Sequence, residues 1–276
     1  MINATGNRMT REIARQSRLA QDIAQTQIQV STGKRLQRAS DDPVASARVA
    51  TIRTAQANGG AWLANVKLGQ SLTAQADSVL RTASDLLARA KELTIAGANG
   101  ALSAADRASL ATGLMALADE MDGLSATSAA NGEALFSSGA ARMMRFDGEA
   151  LFVPVASRAA LFESNGQFAA QHIRDAASMV GTGNMAGVGG ALTALDGAID
   201  QMATAQAQIG LNAARLDRLA ELHAERGITH AAERAACEDT DLTTAIAKLN
   251  AQTITLEAAQ AAFARINRRS LFDILG

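Results

Sequence analysis

The C-terminal segment carries a heptad pattern, and this pattern limits the possible fold more than any other feature of the sequence. The stripe comprises Leu242, Ala245, Leu249, Gln252, Leu256, Ala259, Phe263 and Ile266. Alternating steps of three and four residues are typical of a helix that packs along another helix. A matching N-terminal stripe comprises Met9, Ile13, Gln16, Ala20, Ile23, Gln27 and Val30. Two terminal helices with narrow stripes and no core of their own favour assembly over catalysis, so we do not expect an enzyme.

The composition favours a long helical bundle. Aromatic residues make up only 3% of the 276 residues, with no Tyr and one Trp, and five of the seven Phe lie between Phe136 and Phe168. Large aromatic side chains dominate most compact cores, so this core must be built from Ala, Leu, Ile, Val and Met. Only Pro43 and Pro154 are available to interrupt helices. Cys237 is the sole cysteine, so no disulfide within the chain is possible.

Charge and hydropathy argue against several classes of partner. The net charge is -1, and the basic stretch between Arg8 and Arg53 contains no aromatic side chain to stack on bases. We therefore expect no nucleic acid. No run of 18 apolar residues is present, so we expect no insertion into a membrane. The N-terminus lacks the apolar core of a secretory signal, so export would proceed without a cleaved signal peptide.

Start and stop signals divide the chain into helices. The first helix is predicted over about 5–30, with Gly33 as its stop, and Ser40-Asp41-Asp42-Pro43 predicts a restart that runs to about Ala96. Ser103-Ala104-Ala105-Asp106 is typical of a capping box, and it predicts an antiparallel hairpin with the helix that follows. From 131 to 189 Gly is frequent and 151–155 resembles a strand, which predicts a small β-rich or irregular insert. A long helix is expected to resume near Ala191, to break at Gly227 and to be followed by the terminal heptads.

The predicted fold class is mainly α, a long antiparallel helical rod of coiled-coil type built from both chain ends around that insert. Residues 1–40 with 235–276 form the terminal coiled-coil assembly domain, and residues 41–130 with 190–234 form the helical rod domain. The insert spans 131–189. Because isolated amphipathic helices are marginal in water, we expect 1–40 and about 235–276 to be disordered or loosely helical in the monomer.

Three residues are candidates for a metal site or a catalytic centre. His223, His230 and Cys237 are spaced by seven residues, which is about 10.5 Å along a helix. Zinc requires its ligands at about 2.0–2.3 Å, so one ion cannot join two of them on a straight helix. We therefore predict no metal, no cofactor and no catalytic residue. Two alternatives stay open: an enzyme or metal protein that uses these residues, and a generic dimeric coiled-coil interaction protein.

Several segments together resemble the bacterial flagellin superfamily. Ser31-Thr32-Gly33-Lys34-Arg35 and Ser40-Asp41-Asp42-Pro43-Val44-Ala45 are similar to its N-terminal signature, and 102–111 are similar to its hairpin helix. Asn131–Gly139 resembles the point where that family enters its variable insert. Glu238–Leu242 and the closing Ser270–Leu275 resemble its C-terminal helix. Pro43-Val44-Ala45 and Ser270-Leu271-Phe272-Asp273 resemble the hook-associated members more than flagellin itself.

The resemblance implies a structural axial protein of the bacterial flagellum, exported by the flagellar type III apparatus to an extracellular position. Its role would be the junction adaptor between hook and filament, with flagellin, the filament subunit, as the alternative. The implied partners are neighbouring copies of the chain, an adjacent hook-associated junction protein, flagellin and a cytoplasmic export chaperone. The residues proposed to form the assembly seam are Met9, Ile13, Ala20, Ile23, Val30, Leu242, Ala245, Leu249, Leu256, Ala259, Phe263 and Ile266.

Overall fold

A computed structural model describes the backbone of residues 2–275 and the side chains of residues 9–265. Helices account for 77% of it, and its strands occur only as short pairs, which confirms the mainly α fold class. The long helices are α1 (Ile2–Thr32), α2 (Pro43–Gly97), α3 (Ala104–Ser125), α6 (Met185–Glu238) and α7 (Leu242–Leu275). No helix in this described part of the chain has an apolar stretch long enough to cross a membrane.

The strongest start and stop signals of the sequence act as expected. Gly33, directly after α1, has a φ of +67°, a left-handed conformation that glycine adopts without a steric penalty. Asp42 precedes Pro43, and its carboxylate accepts a hydrogen bond from the backbone N–H of Ala45 at 3.0 Å. At α3, the Ser103 hydroxyl and the Asp106 carboxylate complete a reciprocal capping box. These local interactions explain why helix boundaries could be predicted here.

The segment between α3 and α6 contains less strand and more helix than its composition suggests. Two strand pairs occur, β1 (Met144–Arg145) with β2 (Leu151–Phe152), and β3 (Glu163–Ser164) with β4 (Gln167–Phe168). The short helix α4 (Arg158–Phe162) lies between the two pairs, and α5 (Ala169–Thr182) follows them. Helix α5 buries one face, including Ile173 and Val180. Contact with α3 supplies the partner that this amphipathic helix needs.

Helix α6 begins earlier and continues farther than the glycines of the sequence suggest. Asn184 caps its start, since its side-chain oxygen accepts a hydrogen bond from the backbone N–H of Gly187 at 3.0 Å. Val188, in the same turn, is buried and so stabilises the helix there. The helix also continues through Gly227 to Glu238 without the expected break. Local capping and burial outweigh a cost of about 1 kcal/mol for each helical glycine.

The chain divides into two units. We call residues 58–226 the central unit, and residues 1–57 with 227–276 the terminal unit. Large side chains from four helices form the core of the central unit, among them Leu80, Leu114, Ile173 and Leu195, all fully buried. Helix α2 approaches α5 so closely that a Cβ atom at Gly97 would lie 2.5 Å from a methyl carbon of Val180. The packing of this unit is therefore dense enough to require glycine at that position.

The terminal unit has a much smaller core. Among its described side chains, the buried apolar residues are Val49, Ile52 and Ala245. Helices α1 and α7 contact each other along their length and supply only Ala245 to this group. Much of the apolar surface of these two helices therefore stays exposed to solvent.

Candidate assembly interface

Helices α1 and α7 form an antiparallel pair. The Thr26 hydroxyl lies 3.1 Å from Oε1 of Gln252, and the side-chain amide of Gln16 donates to the carbonyl oxygen of Ala259 at 3.4 Å. Moving towards the N-terminus of α1 thus corresponds to moving towards the C-terminus of α7. Each helix presents one stripe to the other, in the manner of a two-stranded coiled coil.

On α7, most of the stripe expected from the sequence faces α1. Ala245 is buried, with 6% of its surface exposed, and Leu249, Leu256, Ala259 and Phe263 are half-buried. Leu242, at the start of the helix, is 47% exposed. Ile266 lies beyond the residues whose side chains the structure describes.

On α1, every second position of the observed inward face lies one residue before the position predicted from the heptad stripe. Ile23 and Val30 are half-buried as the stripe requires, whereas Met9, Ile13 and Ala20 are exposed. The intervening inward positions are instead taken by Glu12, Leu19 and Thr26. The sequence contained a signal for this offset, because Leu19 is a larger apolar residue than its neighbour Ala20.

The offset leaves apolar side chains half exposed on one side of the pair. At about 100° per residue, Met9 and Ile13 lie some 60–100° to one side of the inward face of α1. Leu242 and Ile246 are displaced by a similar angle, in the same rotational sense, on α7. Because the helices run antiparallel, both displacements lead to the same side of the pair. The four residues are between 45% and 52% exposed. Met9 and Ile13 lie at one end of the pair and Leu242 and Ile246 at the other, about 28 Å apart along the axis, so they form two separate half-exposed apolar patches on this side.

The opposite side of the pair is basic. Arg11, Arg15 and Arg18 line an open groove of about 490 Å³ together with Leu19, Thr255 and one carboxylate, Asp22. Among the described side chains, none of these three guanidinium groups forms a salt bridge with a carboxylate. The two sides of the helix pair therefore differ in chemistry, one apolar and one basic.

A charged cluster of Lys34, Arg53, Glu238 and Asp239 lies where the pair ends. The Glu238 carboxylate accepts hydrogen bonds from Nζ of Lys34 at 3.0 Å and from Nη2 of Arg53 at 2.7 Å, and its side chain is only 7% exposed. Burial raises the pKa of the Glu238 carboxyl, but the hydrogen bonds from Lys34 and Arg53 outweigh burial and hold the pKa below its ordinary value. Hydrogen bonds to Asp239 and then Glu238 raise the pKa of Lys34.

Backbone hydrogen bonds reinforce this cluster. Lys34 and Asp239 form an isolated antiparallel bridge. The N–H of Arg35 donates to the carbonyl oxygen of Glu238 at 2.6 Å, and the N–H of Thr240 donates to that of Gly33 at 2.9 Å. The segment that joins α1 to α2 is thereby fixed against the segment that joins α6 to α7. No local sequence pattern indicates this cluster, because its basic and acidic members lie 185–205 residues apart.

The three residues considered for metal binding do not form a site. The imidazole of His223 is buried, and its Nε2 lies 2.7 Å from the carbonyl oxygen of Phe146, so it serves to hold that segment. His230 and Cys237 lie on the same helix, and Cys237 is a free thiol. Within the described residues, no group of three or more His, Cys, Asp or Glu side chains could hold a metal ion.

Comparison with known families identifies the family to which the chain belongs. Residues 3–141 match the bacterial flagellin N-terminal helical region, and residues 192–275 match the bacterial flagellin C-terminal helical region. The chain belongs to the bacterial flagellin family. The matched regions include α1 and α7, so both helices of the pair are family features.

Two curated relatives share sequence with part of the chain. Flagellar hook-associated protein 3 of Escherichia coli (strain K12) is 36% identical over 110 residues, which is 40% of this chain and 34% of the relative. Flagellar hook-associated protein 3 of Salmonella typhimurium (strain LT2) is 34% identical over 120 residues, which is 43% of this chain and 38% of the relative. The matches thus span little more than a third of the length of each relative.

Solved structures share the fold. A protein of Vibrio parahaemolyticus described as a flagellar hook-associated protein aligns with a TM-score of 0.67 at 17% identity, covering 72% of this chain and 100% of that chain. The flagellar junction protein FlgL of Legionella pneumophila aligns with a TM-score of 0.56 at 13% identity, covering 70% of this chain and 100% of that chain. At such identities the likeness establishes the arrangement of helices and nothing finer.

Proposed function

We propose that this flagellin-family protein is a structural axial component of the flagellum that acts as the adaptor between hook and filament. The relatives that share 34–36% identity with it are hook-associated proteins, and this supports a junction role over that of the filament subunit. Its work would be mechanical, with no catalytic step.

The α1–α7 pair carries the assembly part of this proposal. A pair of helices that buries little of its own apolar surface gains stability when another surface covers it. The half-exposed apolar patches at its two ends, Met9 with Ile13 and Leu242 with Ile246, are such surfaces. The basic side, with Arg11, Arg15 and Arg18, presents different chemistry to a second neighbour. An adaptor contacts different proteins on its two sides, and a helix pair with two unlike sides fits that requirement.

The proposed partners follow from this position. Neighbouring copies of the chain would form a ring, an adjacent hook-associated junction protein and flagellin would flank it, and a cytoplasmic chaperone would hold the chain before export. We further propose type III export to the outside of the cell without a cleaved signal peptide. A chain with one cysteine cannot be crosslinked within itself by a disulfide, and this is compatible with passage in an extended form.

Electron microscopy of a strain that lacks the gene tests this function. Bare hooks, with filament protein shed into the medium, are the expected result. Shortened or missing filaments with no shed protein would contradict the junction role and indicate the filament subunit instead. Normal flagella in a strain with no second copy of the gene would contradict both roles.

A further inference from the structure

The two units carry opposite net charge. The terminal unit has 14 Lys and Arg against 10 Asp and Glu, a surplus of four positive charges. The central unit has 12 Lys and Arg against 17 Asp and Glu, a surplus of five negative charges. Repulsion therefore disfavours contacts between copies that join two like units. Attraction favours a contact that joins the terminal unit of one copy to the central unit of another.

The described basic side chains of α1 form one row beside the groove. Arg11, Arg15 and Arg18 follow each other by four and three residues, so they lie on one face of the helix. All three are exposed, and Asp22, at the end of the row, is the one carboxylate that lines the groove. Like charges at this spacing destabilise the helix that carries them. A row of opposite charge on another surface would relieve that repulsion.

A matching row of carboxylates lies on α6, in the central unit. Asp217 and Glu221 are exposed, and neither forms a salt bridge among the described side chains. Asp217 accepts one hydrogen bond, from the side-chain amide of Gln70 at 2.7 Å. Glu225 continues the row by a further four residues. Arg218 lies about 80° around the helix from the middle of the Asp217–Glu221 pair, so the face itself is acidic.

This acidic row is specific to α6. No other of the described helices has two carboxylates four residues apart. The separation of Asp217 and Glu221 along α6 is about 6 Å, which equals the separation of Arg11 and Arg15 along α1. Two ion pairs can therefore form at the same time, whether the two helices run parallel or antiparallel. Guanidinium groups suit such pairing, because they can donate two N–H groups to one carboxylate.

The two surfaces also match in the size of their uncharged side chains. On α6, Gly210, Ala214 and Ala224 lie on the acidic face and are exposed. In the groove, Ala14 and Thr255 lie beside the arginines. Small side chains at a contact allow helices to approach closely, so the charged groups of the two rows can reach each other.

We propose that the groove between α1 and α7 of one copy receives the acidic face of α6 from a neighbouring copy, with Arg11 and Arg15 opposite Asp217 and Glu221. This rests on the proposed function, in which copies of the chain are neighbours in a ring, and it names the surfaces that meet. Each copy offers one groove and one acidic face, so the contact passes from copy to copy and closes into a ring where the rotation between neighbours allows it. Exposed ion pairs are weak, so they set the orientation of the contact more than its strength.

Thiol crosslinking between two full-length chains tests this contact. Both chains carry Cys237→Ala, which removes the natural thiol. One chain also carries Ala14→Cys in the groove, and the other carries Ala214→Cys on the acidic face, so no charged residue is lost. The chains are mixed at low ionic strength with a short bifunctional thiol reagent. Isotopic labelling of one chain lets mass spectrometry distinguish mixed dimers from dimers of either chain alone.

We expect mixed dimers to exceed both kinds of like dimer by at least about threefold, since two exposed ion pairs change an association constant by roughly 2- to 30-fold. Added salt should reduce this excess, because it screens charges on exposed side chains. This part of the test uses the native charges, so it does not depend on how a charge variant folds.

Charge reversal identifies the residues that form the contact. Arg15→Glu in the first chain, or Glu221→Arg in the second, should reduce the mixed dimer. The two reversals together should restore it, because the ion pair forms again with its charges exchanged. Arg38→Glu and Asp200→Arg are the matched controls, since they change the charge of each unit equally at exposed positions away from both surfaces, and they should have less effect. Circular dichroism should show the same helix content in all variants.

Three results would overturn the proposal. Mixed dimers no more abundant than like dimers at low ionic strength would show that the two surfaces do not meet. Equal effects of Arg15→Glu and Arg38→Glu, or a failure of the paired reversals to restore the mixed dimer, would assign the attraction to overall charge. A chain with both cysteines that crosslinks within itself at high dilution would place the contact inside one copy. None of these results bears on the junction role, which the strain that lacks the gene tests separately.

Discussion

The central and terminal units are built from the same kind of helix but differ in how much of it they bury. In the central unit, Leu80, Leu114 and Leu195 are fully enclosed by other helices. In the terminal unit, α1 and α7 pack against each other, and among their described side chains Ile13 and Ile246 stay about half exposed. The central unit therefore completes its core within one chain, whereas the terminal unit presents apolar surface that a neighbour can cover. The difference points to a division between a part that folds and a part that assembles.

The largest expected effect comes from placing a charge in the contact between α1 and α7. Leu256→Asp should abolish assembly, because an unpaired carboxylate on the inward face of α7 would have to be desolvated. The central unit should stay folded, and circular dichroism should retain most of the helical signal. Flagella from cells that express the variant provide the assembly measurement.

Ala258→Asp is the matched control, since Ala258 also lies two residues from Leu256 and is a small side chain on the exposed face of α7. It should assemble far better than Leu256→Asp. Global unfolding of the Leu256→Asp variant would refute the independence of the two units.

The same substitution made in each unit should give different losses of stability. Leu195→Ala in the central core should lower the free energy of unfolding of that unit by about 2–5 kcal/mol, through lost burial and a cavity. Leu249→Ala, at a half-buried position of α7, should leave the free energy of unfolding of the central unit unchanged. Denaturant unfolding followed by circular dichroism provides both values. Equal losses for the two variants would show that the chain unfolds as one cooperative body.

A smaller effect concerns acid. Because the pKa of Glu238 is lowered in the folded protein, its ion pairs stabilise the terminal unit above the ordinary value of 4.5, and this stability is lost as the pH falls below that value. The raised pKa of Lys34 acts only at high pH, where that stabilisation disappears as the pH rises past 10.5. The pKa values of Asp42 and Asp241 are lowered too, chiefly by hydrogen bonds from the N–H of Ala45 and the hydroxyl of Thr244, so these carboxylates contribute to the acid loss beside Glu238.

Amide exchange of α7 between pH 3 and pH 6 measures this dependence. Glu238→Gln should weaken it and leave the part that depends on Asp241, and Glu233→Gln, which alters an exposed pair with Arg48, should leave it unchanged. An identical pH profile in the two variants would show that Glu238 does not contribute to the loss of stability in acid.

The sequence was most informative where structure is determined locally. Pro43 with its preceding Asp42, and Ser103 with Asp106, act within one helical turn, so they predicted the starts of α2 and α3. Helix α5 was not predicted, because its amphipathic face is stabilised by α3, far away in the chain. The break expected at Gly227 was wrong. One glycine destabilises a helix by less free energy than the rest of a long helix contributes to its stability.

The candidate interface was only partly predictable. A heptad stripe predicts that α1 has an inward face, but it cannot decide between Leu19 and Ala20, which lie only about 100° apart on the helix. The position of α7 determines which of these two residues faces inward. The charged cluster of Lys34, Arg53, Glu238 and Asp239 could not be predicted from the sequence, because no local pattern joins residues so far apart in the chain.

The central claim is that the central unit is stable in the single chain, while α1 and α7 are stabilised by neighbours. Hydrogen–deuterium exchange of the isolated monomer tests it most directly. We predict strong protection around Leu114 and Leu195, and exchange at Leu249 and Leu256 that is faster by orders of magnitude. Protection at Leu249 and Leu256 equal to that of the central core, in a verified monomer, would contradict the account.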